Sequence, residues 1–222
     1  MARPVDPSLR QRLLTAAAAE FAANGFAGTT MDGVGRRAGV TKGGVYFHFP
    51  GKEELFFAVL DASRDALALV LAGVRSSDAS GADRLTAFLR EYLVFHLSRP
   101  AETALPRVLA TELQRKFTTA AREDARIAQR ELRQQLRELL SAGAQDGSLS
   151  AGDPALAAVL LAGALDGVLH QWLTSAQDVA LLGDPARIAD AMVAPYRIAG
   201  GKRRRRRATR AEADDAGFQP PF

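Results

Sequence analysis

Apolar residues recur three and four positions apart along most of this chain, the spacing that gathers them on one face of an α-helix. Leu13, Leu14, Ala17, Ala18 and Phe21 form the first such face, opened at Pro7-Ser8 with Ser8 as cap and closed at Asn24-Gly25, after which Phe26 folds back on the helix end. A short helix is then predicted from Thr30, whose hydroxyl can cap its opening turn, through Val34 to Ala38, and Gly39 ends it. The next begins at Thr41 with Val45 and Phe49 inward and stops at Pro50, which has no N–H to donate. A long helix follows Lys52, carrying Phe56, Val59, Leu60, Leu67, Val70, Leu71 and Val74. Ser80-Gly81-Ala82-Asp83 has capping-box spacing and starts a helix with Leu85, Phe88, Leu89, Tyr92, Leu93 and His96, ended by Pro100. Helices over 102–115 and 119–142 come next, and Asp153-Pro154 and Asp184-Pro185 open two more, the last running to Ile198. This predicts about nine helices and no strand, an all-α fold.

The two short helices between Thr30 and Pro50, joined by a glycine turn, have the form of a helix-turn-helix. The second turns Lys42, Gly43, Gly44, Tyr46, Phe47 and His48 outward. Glycine in a helix costs roughly 1 kcal/mol relative to alanine, so Gly43 and Gly44 make sense where something approaches the backbone closely. DNA does so when a helix leads into the major groove with its N-terminal residues. The competing reading makes Tyr46, Phe47 and Phe49 simple core aromatics, although Val45 and Phe49 already fill the inward positions.

The run Thr30 to Leu55, with Ala38-Gly39-Val40-Thr41-Lys42-Gly43-Gly44-Val45-Tyr46-Phe47-His48-Phe49-Pro50-Gly51-Lys52-Glu53-Glu54-Leu55, resembles the DNA-binding signature of the TetR family of bacterial repressors. The resemblance implies that Thr30, Thr41, Tyr46, His48 and Lys52 hold phosphates of a double-stranded operator, and that Lys42, Gly43, Gly44 and Phe47 lie against bases. Gly33 and Gly35 depart from the family pattern, which more often has an acidic residue and alanine there. Gly35 can ease a tight helix crossing, whereas Gly33 should only loosen its helix.

Charge is distributed as that reading requires. Residues 1–52 hold seven Lys and Arg against three Asp and Glu, residues 53–200 hold fifteen against nineteen, and residues 201–222 hold seven against three. The positive field therefore sits at the two ends of the chain and the middle is acidic. No cysteine is present, which excludes disulfides and thiol chemistry and fits a reducing cytoplasm. The apolar run from Pro154 to Leu165 is too short to span a bilayer and is followed by Asp166. Three histidines and no metal, phosphate or nucleophile motif leave no catalytic, metal or cofactor residue to name, so the chain is not expected to be an enzyme.

The expected organisation is a helix-turn-helix DNA-binding domain over residues 1–52, a helical ligand-binding and dimerisation domain over 53–199, and a disordered basic tail over 200–222 with Lys202 and Arg203 to Arg207. That tail reads either as a solvated end or as an arm for phosphates. The resemblance implies a homodimer through the last two helices, where Leu156, Val159, Leu160, Gly163 and Gly167 share one face with Val168, and Ile188, Met192, Val193 and Tyr196 lie on the other helix. It also implies a cavity for a hydrophobic or amphipathic effector, with Phe88, Tyr92, His96, Phe117 and Trp172 as walls and Asp166 and His170 as polar contacts. The expectation is a cytoplasmic, dimeric, ligand-released repressor. The alternatives are a helical enzyme without specific DNA binding, or a helical small-molecule carrier whose DNA binding was lost through Gly33 and Gly35.

Overall fold

The computed structural model describes residues 7–75, 77–112, 119–175 and 183–198. Nine α-helices follow one another among them: α1 Pro7–Gly28, α2 Met31–Ala38, α3 Lys42–His48, α4 Lys52–Arg75, α5 Gly81–Leu97, α6 Pro100–Glu112, α7 Thr119–Gln145, α8 Pro154–Ser175 and α9 Pro185–Val193. Phe117 and the tail from Gly200 onward lie outside the described residues.

Local chemistry sets several of the helix ends. Gly25 adopts φ 67° and breaks α1 where Asn24-Gly25 predicts a stop, and a last short turn carries on to Gly28. α1 begins at Pro7, so Ser8 lies within its first turn rather than before it. Thr30 Oγ1 accepts from Gly33 N–H at 3.0 Å, and Thr41 Oγ1 accepts from Gly44 N–H at 3.2 Å. Gly39, at φ 71°, ends α2 in the left-handed conformation that alanine would resist. Ser80 caps α5 by accepting from Asp83 N–H, and Asp184 caps α9 by accepting from Arg187 N–H.

Two hydrophobic cores organise the chain. The first joins α1, α2, α3 and the beginning of α4, including Leu13, Phe21, Val34, Val45, Phe49, Leu55 and Phe56. Phe56 meets Phe21 edge-on at 4.9 Å and Phe26 at 5.5 Å, so α4 is locked to α1 by an aromatic triad. Leu105 and Leu109 of α6 also belong to this core, which brings a helix from far along the sequence onto α1. The second core joins Leu71 of α4 with α5, α7, α8 and α9. α4 therefore contributes to both cores, as its long apolar stripe allows.

α9 stops at Val193 rather than continuing to Ile198, and a 3-10 turn over Ala194–Tyr196 follows. Pro195 lacks the N–H that a further α-turn needs, and its ring crowds the preceding carbonyls. The chain instead runs alongside the α7–α8 loop: Ser150 N–H donates to Tyr196 O at 2.8 Å and Ile198 N–H donates to Ser148 O at 3.1 Å. Leu149 and Arg197 form an antiparallel bridge there, the one departure from helix and loop among the described residues. Arg197 then reaches Asp83 and Thr86 of α5.

α8 continues past Asp166 to Ser175, so its apolar stretch is longer than the run ending at Leu165. Its length and composition alone would allow a bilayer crossing. Here Ala157, Ala158, Leu161, Leu165 and Leu169 pack into the second core, as expected for the central helix of a bundle.

Candidate nucleic-acid interface

α3 stands on α2 through a close crossing. A Cβ at Gly35 would lie 3.0 Å from Val40 O and 3.2 Å from Val45 Cγ2, so the bare glycine lets the two helices meet. Val45 and Phe49 are buried in the first core, and the opposite face of α3 is open. On that face Phe47 is 66% exposed and Tyr46 45% exposed, with Lys42 Nζ 5.8 Å from the centre of the Tyr46 ring. The aromatics expected at DNA are therefore outside the core, while His48 is half-buried beside Phe47 and Phe49. Gly43 is exposed, and a Cβ there would meet nothing closer than Thr41 Oγ1 at 3.9 Å.

Gly33 has a use that periodicity does not reveal. Its missing Cβ would lie 3.2 Å from Glu20 Oε2, and Glu20 Oε1 accepts from Arg37 Nε at 2.7 Å. The glycine leaves room for the α1 carboxylate to reach over α2 and hold Arg37, so it fits the packing instead of loosening it. Arg12 similarly donates from Nη2 to Ala38 O at 2.9 Å, bracing the end of α2. Neither pair is visible in the sequence, because the partners are far apart along the chain.

Thr30 and Thr41 are exposed at the helix starts that they cap. Lys52, expected at a phosphate, donates to Thr29 O at 2.9 Å and Ala27 O at 3.3 Å, with its ammonium 4.7 Å from the centre of the Phe26 ring. It thereby fastens the α1–α2 turn to the start of α4.

The expected effector residues divide. Phe88 and Tyr92 stack at 6.4 Å, and the Tyr92 ring lies 4.5 Å from that of His96, so these three share one side of α5. Burial, with the Asp166 charge as a second cause, pushes the Tyr92 phenol up. Asp166 is exposed but partly shielded by its neighbours, which pushes its carboxyl up. Trp172 is half-buried. His170 is exposed, on the side of α8 that also carries Val159 and Gly163, and so stands apart from the α5 cluster. Open grooves of about 480 and 490 Å³ lie between α7 and α8, bordered by Arg130, Arg133, Arg137, Glu138 and Asp153 and by none of these residues.

The outer face of α8 is apolar and unpartnered among the described residues. Leu156 is 57%, Val159 49% and Leu160 59% exposed, and a Cβ at Gly163 or Gly167 would meet nothing within 4 Å. Ile188, Met192 and Tyr196 are half-buried against their own core. The small residues on α8 therefore accommodate no helix among the described residues of this chain.

Two family models match. "Bacterial regulatory proteins, tetR family" covers residues 13–59, and "Tetracyclin repressor-like, C-terminal domain" covers residues 78–176. The HTH-type transcriptional regulator SrpR of Pseudomonas putida is 47% identical over 60 residues, 27% of this chain and only 28% of that protein's length. The HTH-type transcriptional regulator TtgR, also of Pseudomonas putida, is 28% identical over 190 residues, covering 82% of this chain and 88% of TtgR. The structure of SmeT, the repressor of the Stenotrophomonas maltophilia multidrug efflux pump SmeDEF, is similar with a TM-score of 0.65 and 26% identity over 86% of this chain and 92% of that one.

Proposed function

This chain belongs to the TetR family of bacterial regulatory proteins, and from that premise we propose that it is a transcriptional repressor released from DNA by a hydrophobic or amphipathic small molecule. The observation that carries the reading is the α3 face: Lys42, Gly43, Tyr46 and Phe47 are exposed together while Val45 and Phe49 anchor the helix from behind. Lys42, Gly43, Gly44 and Phe47 approach base edges and thymine methyls, and Thr30, Thr41, Tyr46, His48 and Lys52 approach phosphates. The carrier alternative rests on Gly33 and Gly35 as defects, and the packing around both removes that ground. The sense of the effect follows SmeT, which is a repressor.

The working unit is a homodimer joined through the outer face of α8. An exposed apolar stripe with glycines that nothing fills supports a second copy as its partner. A two-fold dimer presents its two α3 helices about 34–36 Å apart, one turn of DNA. Residues 1–52 act as the DNA-binding domain and 53–199 as the effector and dimerisation domain. The protein works in the cytoplasm and acts by binding, not by catalysis.

The effector region is the α5 side bearing Phe88, Tyr92 and His96. α4 and α6 connect it to the DNA end, because Phe56 of α4 and Leu105 and Leu109 of α6 are buried in the first core. A ligand that prefers one arrangement of these helices shifts the spacing of the paired α3 helices by no more than that preference allows.

Fluorescence anisotropy with DNA flanking the protein's own gene, in the presence of unrelated competitor at near-physiological salt, tests the reading. Binding tighter than to competitor, with two chains or a multiple of two per site, is expected. Affinity equal to that for competitor counts against it.

A further inference from the structure

Among the described residues, His96 Nε2 is buried and meets no hydrogen-bond partner. The other side of the same ring is fully determined. Thr103 Oγ1 lies 2.8 Å from the His96 carbonyl oxygen and 3.1 Å from His96 Nδ1. A hydroxyl has one proton and a carbonyl can only accept, so that proton goes to the carbonyl and Nδ1 must donate to the hydroxyl oxygen. The neutral ring therefore carries its lone pair on Nε2. Burial, with Arg99 as a second cause, lowers the His96 pKa to about 4, which keeps the ring neutral at ordinary pH.

No described neighbour donates to this acceptor, the Tyr92 hydroxyl included. Tyr92 lies 4.5 Å away and Phe95 5.3 Å away, centroid to centroid, with Phe88 stacked on Tyr92 beyond. A lone pair buried among aromatic faces is costly unless a donor meets it. The same ring is a joint in the fold, since His96 lies in the last turn of α5 and Thr103 in the first turns of α6, whose Leu105 and Leu109 enter the first core.

We infer that the effector is an apolar compound bearing a hydroxyl or N–H group, which donates to His96 Nε2 while its body lies against Tyr92 and Phe88. The inference rests on the effector reading of α5 given above. It excludes carboxylates and other donor-free anions at this position: their oxygens would face the lone pair, and the ring could turn a proton toward them only by giving up Thr103. Binding here loads the His96–Thr103 joint directly, so occupancy is felt by the helix that packs on α1.

The test uses the full chain with 2-naphthol and its methyl ether, 2-methoxynaphthalene, which share a ring system and differ in the donor. Binding is followed by the fluorescence of Trp172, the only tryptophan. The naphthol should bind at least tenfold more tightly than the ether, and His96→Phe should abolish the difference. In nitrogen-15 spectra of labelled imidazole, the free chain should show an unprotonated Nε2 whose resonance moves with naphthol and stays put with ether. Should His96→Phe not fold, Thr103→Val frees the ring to move its proton and should shrink the preference. Equal binding of both compounds, binding of neither, or a proton found on Nε2 overturns the inference. Operator binding by the unliganded chain is measured alongside. Its absence would overturn the regulator reading while leaving the imidazole result standing.

Discussion

Replacing Gly43 by alanine should make this protein more stable and a poorer DNA binder. Gly43 is exposed in α3, has no positive φ, and offers a new Cβ open space with the nearest atom 3.9 Å away. Alanine is favoured over glycine in a helix by about 1 kcal/mol, and less so near an end, so a gain of about 0.5–1 kcal/mol is expected. For a chain of this size that raises the melting temperature by about 1–4 °C. On DNA the added methyl occupies the space through which the helix backbone approaches the groove, and a loss on the scale of one base pair's readout, about 1–2 kcal/mol or roughly 5- to 30-fold in affinity, should follow. Melting curves and operator anisotropy at fixed salt measure the two effects separately. Gly35→Ala is the internal contrast: its Cβ would press on Val40 O at 3.0 Å, so stability should fall together with binding. A Gly43→Ala protein that melts higher and binds operator as tightly as before would refute the placement of α3 against bases.

Three further outcomes are expected. Lys52→Ala loses its bonds to the Thr29 and Ala27 carbonyls and should cost about 1–2 kcal/mol of stability, seen as a lower melting temperature; an unchanged melt would show that these bonds contribute nothing net. Leu160→Glu places a charge on the exposed apolar stripe of α8 and should shift the sedimenting species to single-chain mass with weakened operator binding, whereas an unchanged mass would rule this face out as the interface. Stability should also decline in mild acid through His96. Its folded pKa lies at about 4, below the ordinary 6.5, so the neutral ring's contribution is fully present above pH 6.5 and is lost as pH falls toward 4. The slope approaches about 1.4 kcal/mol per pH unit, and His96→Phe should flatten the melting temperature between about pH 7 and 5; the same decline in the variant would acquit this ring.

The helix-turn-helix is legible because its signals are local. Thr30, Gly39, Thr41 and Pro50 each act within a few residues of where they stand, and the structure uses the first three as caps and turn. What periodicity misses is long-range. Glu20 and Arg37 meet across two helices, and their meeting gives Gly33 its use. Leu105 and Leu109 repeat at helical spacing like core residues of any bundle, but spacing does not tell which core receives them. The same limit applies to His170: Leu165 and Leu169 face inward, and residue 170 follows by one position, so the helix turn carries it outward. Pro195 is a local signal that ends α9, and its effect on the final stretch is readable in principle. The α5 cluster stands between these cases. Phe88, Tyr92 and His96 are a turn apart and so share a side, but the tautomer of His96 depends on Thr103, which belongs to the next helix.

The lodging of α6 against α1 also governs how the protein is made. While the chain is being synthesised, α1 to α4 emerge with their apolar faces already in sequence but without the two leucines that complete their core, and those leucines cannot arrive before α5 has been made. A nascent chain that has exposed its recognition helix is thus still missing part of that helix's support. The core beneath the recognition helix is thus completed only when α6 has been made as far as Leu109, well after the helix itself.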